Sequence, residues 1–288
     1  MSRQHHAPVS VIIPTWRRLD CLQKTIQELE ECSPAPAEIL VHVDAGDDQT
    51  APWLHKHASQ VRVLESEERM GPGGGRNRLL DESSQPYIAS FDDDSYPLDA
   101  DYFTQVIKTF EENPEAGVLS ATVTSRGEAI PESRDETVQT ASFVGAGCAY
   151  RRDAWKDTAG YLPLPLAYGM EEVDLSLQLI DEGWSILRDR RLRVFHDTDL
   201  SHHTDPDTVA ATIANRALLG YLRYPIAGWG LALAQFVNRI WWSIRVGRTE
   251  GIWKGVRQVP TRLWKYKEWR DPVSLRTLLQ TQKLKNTM

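Results

Sequence analysis

The sequence predicts an α/β fold, a mostly parallel sheet flanked by helices, followed by an amphipathic helical extension. Three observations predict it. Short runs rich in Val, Ile and Leu alternate with segments whose apolar residues recur at helical spacing, the pattern of a parallel sheet covered by helices. Several of these runs end in carboxylates, at Asp44 and at Asp92-Asp93-Asp94. Charge also divides the chain: residues 216–288 hold 14 Lys/Arg against three Asp/Glu, a net of +11, and the first 215 residues carry −18. The division suggests an acidic body over 1–215 and a basic extension over 216–288, which holds six of the ten tryptophans.

The elements follow in order. Pro8–Ile13 is a buried strand ending at Pro14. Asp20 with Gln23 has the capping-box spacing, and Leu19, Leu22, Ile26 and Leu29 form a helical stripe that runs to Glu31. Glu38–Val43 is a second strand, delivering Asp44, and Val61–Leu64 a third. Gly71-Pro72-Gly73-Gly74-Gly75 reads as a flexible loop opening a short helix from Arg76 to Leu80. Tyr87–Phe91 is a fourth strand, and the aspartate triplet stands at its C-terminal end. A helix over 99–112 and a strand over 118–123 come next. Residues 124–141 lack any period and read as a loop. Ser142–Tyr150 resumes as strand, Val173–Gly183 as helix, and Arg193–Phe195 as a strand ending at His196.

The chemistry concentrates at these strand ends, where open α/β sheets bind ligands. Crowded carboxylates repel unless a cation lies among them, and hard oxygen donors suit Mg²⁺ or Mn²⁺ held together with substrate phosphates. The triplet is therefore either an acidic turn or a metal site on a phosphorylated substrate. Glu171-Glu172-Val173-Asp174 begins a helix, where carboxylates either complement the dipole or supply a general base. The glycine run is weak as a dinucleotide fingerprint and is no P-loop; it is a turn, or a loop bringing Arg76 to a phosphate. His196 to His203 holds three histidines and two aspartates without zinc-type spacing; His196 is either structural or within reach of the metal. Three scattered cysteines form no CxxC pair and fit a reducing compartment. The polar N-terminus lacks a signal-peptide apolar core, so a cytoplasmic location is expected.

Taken in order, the motifs resemble the family 2 glycosyltransferases of the GT-A fold. They are Val9–Arg18, Val43-Asp44-Ala45-Gly46-Asp47-Asp48, Gly71–Asn77, Phe91–Ser95, Gly145-Ala146-Gly147, Tyr168–Leu177 and His196, covering about residues 8–203. The resemblance implies a Rossmann-like nucleotide-binding sheet and an inverting enzyme that uses a nucleoside-diphosphate sugar and Mg²⁺ or Mn²⁺. It implies that Pro14, Thr15 and Arg17 line the nucleotide pocket with Asp93, that Asp44 accepts from the base, and that Arg76 contacts the nucleotide. It implies a DxD pair, Asp94 on the metal and Asp92 near the ribose and metal, with His196 as a late metal or diphosphate ligand. The family's base is the Asp of a Glu-Asp pair; here Glu171-Glu172 stand there, which makes Glu172 the first candidate and Glu171 the second. A saccharide or lipid-linked glycan is the implied acceptor, in cell-surface polysaccharide or glycolipid synthesis.

Two rivals stand beside this reading. A sugar-nucleotide nucleotidyltransferase would carry a glycine-rich loop directly after the first strand, where this chain has Pro14-Thr15-Trp16-Arg17-Arg18. A catalytically degenerate, membrane-peripheral glycan-binding module would not need Asp92, Asp94 and Glu172. In the extension, Leu233, Phe236, Val237, Ile240, Trp241 and Ile244 form an apolar stripe. Gln235, Asn238 and Arg239 argue against a spanning segment. The stripe either lies on an anionic membrane surface, placing the protein at the inner face of the cell membrane, or packs on the acidic body. No recognition motif accompanies the charge, so no nucleic acid is expected.

Overall fold

The protein is described by a computed structural model over residues 6–164, 169–198 and 205–286; Tyr168, His202 and His203 lie outside the described residues. A nine-stranded, mostly parallel sheet forms its centre. The strands are β1 (Ala7–Thr15), β2 (Pro36–Val43), β3 (Val61–Glu65), β4 (Tyr87–Phe91), β5 (Ser95–Pro97), β6 (Ala116–Ser125), β7 (Thr137–Gln139), β8 (Gly147–Arg151) and β9 (Ser185–His196). Their order is β3-β2-β1-β4-β8-β6-β9-β5, with β7 paired to β9. β1, β2, β3 and β4 pair in parallel, as do β6 and β9, whereas β8 runs antiparallel between β4 and β6.

Strand alternation divides the core between the two faces of the sheet. Val9, Val11 and Ile13 meet Leu22, Ile26 and Leu29 of α1 (Leu19–Glu30) and Phe103, Val106 and Phe110 of α4 (Tyr102–Glu112). Ile12, Leu40 and Ile88 meet Leu79 and Leu80 of α3 (Gly71–Glu82) and Leu175 and Leu179 of α6 (Glu171–Asp181). This is the three-layer sandwich that period-2 and period-3.6 apolar patterns specify.

Several expectations change. Asp20 lies inside α1, and Arg18, at the helix's N-cap, makes no side-chain cap bond, so the capping box does not form. The glycine run is not a loop but the first turns of α3. Asp44 accepts from the amides of Met70 and Gly71, capping the helix, and Pro72 suits its first turn. The helix then presses on the sheet: a Cβ on Gly75 would stand 2.7 Å from His42 Nδ1 and 3.3 Å from Pro14 Cβ. Gly75→Ala is expected to cost about 1–3 kcal/mol as an overpacked contact, measured by denaturant unfolding.

Residues 124–141 are anchored rather than patternless, because β6 runs to Ser125 and β7 pairs antiparallel with β9. The strand expected from Ser142 begins at Gly147. Helix α2 (Thr50–His57) escaped sequence reading; Asp47 accepts from the Thr50 amide and hydroxyl at its start, and this Asp-x-x-Thr spacing was the available signal. A short α5 (Arg152–Lys156) follows β8.

The extension consists of α7 (Pro206–Arg223), α8 (Trp229–Arg245), α9 (Ile252–Lys265) and α10 (Leu275–Asn286). Position 215 lies within α7, so that helix runs across the boundary expected from charge. A third cluster joins Met170 and Leu177 of the body to Leu218, Leu222, Tyr266 and Leu278. Arg223, fully buried, donates to Asp174 of α6 at 2.7 Å through Nε.

Candidate active site

A cavity of about 410 Å³ opens beyond the C-terminal ends of β1, β2 and β4. Pro14, Thr15, Trp16 and Arg18 line one side, His42, Asp44, Arg69 and Gly71 another, and Arg76, Asp92, Asp93, Glu171 and Glu172 complete the wall. The parallel pairing of β1 with β2 and β4 carries these strand ends to one edge of the sheet. Of the residues expected at the nucleotide site, all but Arg17 line this cavity. Arg17 has φ 56° and hydrogen-bonds away from it, from its amide to Asp47 and from Nε to the Gly46 carbonyl. Arg18, its neighbour, takes the place facing the aspartates.

The triplet divides into three environments. Asp92 pairs with Arg76 Nη2. Asp93 is buried, accepts from Thr15 Oγ1 at 2.9 Å and pairs with Arg18 Nη1 at 2.8 Å; burial outweighs these donors and pushes its carboxyl up to about 7. Asp94 pairs with Arg18 Nη2 at 2.5 Å and lies 3.1 Å from His196 Nε2. Burial would raise its pKa, but those two donors overcome it and hold the group at about 2. His196 loses basicity to burial and more than regains it from Asp94 and Asp92, so its pKa is raised.

Sheet register assembles the Asp94–His196 pair. Ser95 of β5 stands opposite His196 of β9, and Ser125 of β6 pairs with the same histidine. As a result Asp92, Asp94 and His196 offer ligand atoms that all lie within 4.8 Å of one another. Two carboxylates and an imidazole form a donor set suited to a divalent cation such as Mn²⁺, so the residues present fit a metal.

The paired glutamates also part company. Arg76, largely buried in the cavity wall, donates through Nη1 to Glu171 Oε1 at 3.0 Å and through Nε to Ser90. Burial, opposed by Arg76 and aided by Glu172, raises Glu171 to about 7. Glu172 makes no ion pair among the described residues. It lies against Gly145, where a Cβ would approach its Oε1 to 2.8 Å, and burial raises its pKa as well. Asp174, the third carboxylate of this run, turns away to Arg223 and Gln178.

Sequence reasoning missed Arg18, Arg69, Trp16 and His42 as site residues. The Arg69 guanidinium stacks 3.6 Å from the centre of the Trp16 ring and reaches Asp44 through Nε at 3.2 Å. The Asp44 carboxylate thereby accepts from the amides of Ala45, Met70 and Gly71, from the Ser66 hydroxyl and from Arg69, all groups of its own chain. His42 is 1% exposed and its Nε2 has no hydrogen-bond partner. Burial lowers its pKa, favouring the neutral ring. A histidine alternating with valines in β2 gave no signal beyond its polarity in an apolar strand.

Comparison with known proteins follows this geometry. Residues 10–160, just over half of the chain, match the model of glycosyl transferase family 2. A curated Campylobacter jejuni protein, GalNAc(5)-diNAcBac-PP-undecaprenol beta-1,3-glucosyltransferase, is 30% identical over 107 residues, which span 36% of this chain and 35% of that one. Thus the chain matches only about a third of that relative's length. The fold is similar to S. aureus TarS 1-349 in complex with UDP-GlcNAc (TM-score 0.63, 20% identity, 91% of this chain and 81% of that one). It is also similar to the mannosyltransferase PcManGT of Pyrobaculum calidifontis in complex with GDP-Man and Mn²⁺ (TM-score 0.60, 13% identity, 99% and 81%).

Proposed function

Since the chain belongs to the family 2 glycosyltransferases and has their GT-A fold, we propose that it moves a sugar, with inversion, from a nucleoside-diphosphate sugar to a hydroxyl of a saccharide or lipid-linked glycan. The observation that carries this reading is the division of labour between the glutamates: Glu171 is held by Arg76, whereas Glu172 keeps a carboxylate without an ion partner at the cavity wall. Glu172 removes the acceptor hydroxyl proton as the oxygen attacks the anomeric carbon. The bond from that carbon to the diphosphate oxygen breaks as the new one forms, and the nucleoside diphosphate leaves with the electron pair. One displacement inverts the centre, and no carboxylate nucleophile is needed.

Asp92, Asp94 and His196 would hold Mn²⁺ or Mg²⁺, which when bound neutralises charge on the leaving diphosphate. Arg18 and Arg76 contribute positive charge to the same wall. The base docks between Trp16, Arg69 and His42. Asp44 already accepts from five donors of its own chain, and the buried His42 Nε2, which has no partner among the described residues, supplies a hydrogen-bonding atom at the same end of the cavity to read it. The nucleotide sugars bound by TarS and PcManGT support the donor class. The undecaprenol-linked glycan in the Campylobacter relative's name supports a lipid-linked acceptor; we propose that such an acceptor serves cell-surface glycan synthesis and is reached from the cytoplasmic face of the membrane.

Thermal unfolding with UDP, GDP and dTDP, each with and without Mn²⁺, tests this. One base is expected to stabilise the protein by about 2–4 kcal/mol at saturating ligand, more with the metal. Asp94→Ala should remove the metal increment and His42→Phe the preference among bases. No shift with any nucleotide would reject the donor class.

A further inference from the structure

Helix α8 is turned inside out. Three of its polar residues face the protein: Gln235 accepts from the Tyr224 hydroxyl at 2.8 Å, Arg239 donates to Thr212 of α7 at 2.9 Å, and Ser243 is fully buried. Leu231 and Ala232 pack on the third core cluster, but five other apolar residues face outward. Trp229, Leu233, Val237, Trp241 and Ile244 follow at intervals of four and three, on one side of the helix, and are 46–63% exposed. Among the described residues, eleven of the thirteen exposed large hydrophobic residues fall between 226 and 279, so this apolar surface is concentrated in the extension. An amphipathic helix in water buries its apolar stripe and hydrates its polar one. The reversed arrangement calls for an apolar medium outside.

Charge identifies that medium. The Arg245 guanidinium lies 5.3 Å from the Trp241 ring centre and the Arg270 guanidinium 5.6 Å from that of Trp229. Residues 216–288 carry a net +11. Indole and aliphatic groups flanked by arginines match a bilayer whose acyl boundary takes the carbons and whose phosphates take the cations. A second copy fits less well, since pairing two such faces would crowd their cations together. Spanning is excluded for α8: seventeen residues reach about 26 Å, and no helix among the described residues is long and apolar enough to cross a membrane.

We infer that α8 docks the protein flat on an anionic lipid surface, with the stripe from Trp229 to Ile244 entering the acyl boundary and the exposed Arg245 meeting phosphate headgroups. The docking deepens the proposed function, on which it rests for its purpose: it would hold the catalytic body beside a lipid-linked acceptor.

The test uses the full chain, co-sedimented with vesicles of phosphatidylcholine alone or mixed with phosphatidylglycerol. Binding to the mixed vesicles should exceed binding to the neutral ones by about tenfold or more and fall with salt. The double variant Leu233→Glu, Trp241→Glu should lose this binding while unfolding at the same temperature and hydrolysing donor at the same rate. Equal binding to both vesicles, or binding unchanged in the variant, overturns the inference. So does a dimer that the variant dissolves, which would assign the face to a second copy. Donor hydrolysis in vesicle-free buffer reports separately on the proposed function; its absence alongside vesicle binding would reject catalysis and leave the docking standing.

Discussion

Glu172→Gln is expected to reduce turnover by about 10²–10⁴-fold while leaving donor affinity within about twofold of the parent. The amide keeps the shape of the side chain and its contact with Gly145 but cannot accept a proton. The chemical step therefore suffers and the nucleotide site does not. The matched control is Glu171→Gln, which removes the carboxylate opposite the largely buried guanidinium of the cavity wall. Arg76 also holds Asp92, so this second change should disturb donor affinity and stability together with rate. Steady-state kinetics combined with calorimetric donor binding separates the two patterns. A pure loss of turnover in Glu171→Gln, with Glu172→Gln active, would exchange their roles.

Arg223→Ala is expected to destabilise the protein by about 3–5 kcal/mol. The pair it forms with Asp174 is fully buried, with Nε at 2.7 Å and Nη2 at 3.3 Å from the two carboxylate oxygens. Truncating the arginine leaves the Asp174 carboxyl buried, with Gln178 its remaining side-chain partner among the described residues. The loss should reach the site as well, because Asp174 lies on the first turn of α6, two residues beyond Glu172. The paired replacement Arg223→Met, Asp174→Leu should recover much of the stability, since removing both charges leaves none unpaired. Urea unfolding of the three variants measures this. A loss below about 1 kcal/mol in Arg223→Ala would mean that α7 is not braced against α6 through this pair.

Much of the site was legible because strand ends carry it. Asp44, Asp92, Asp93 and Asp94 each follow an apolar run that could only be a buried strand, and in a parallel sheet such ends converge on one edge. The order of motifs from Val9 to His196 was specific enough to indicate the family. Less legible were residues whose place depends on partners distant in sequence. Arg17 and Arg18 are adjacent and chemically identical. The left-handed turn at Arg17 and its amide bond to Asp47 send one outward and the other onto Asp93 and Asp94. The glycine run reads as a loop by propensity, yet it is helical because Asp44 caps it and because only glycine fits against His42 and Pro14.

By itself, the sequence determined the sheet's composition, the strand-end carboxylates, the Glu-Glu pair at a helix start, and the amphipathic, basic character of the extension. These are local properties, written in periodicity and residue type. The tertiary structure alone decided which glutamate Arg76 takes, that Asp94 meets His196 through the register of β5 on β9, and that Asp44 is occupied by its own chain. It also decided that the stripe of α8 faces outward. Periodicity fixes which residues share a face, but the direction of that face is set by what the rest of the chain packs against it. Here Tyr224 and Thr212 supplied partners for Gln235 and Arg239, leaving the stripe from Trp229 to Ile244 outward.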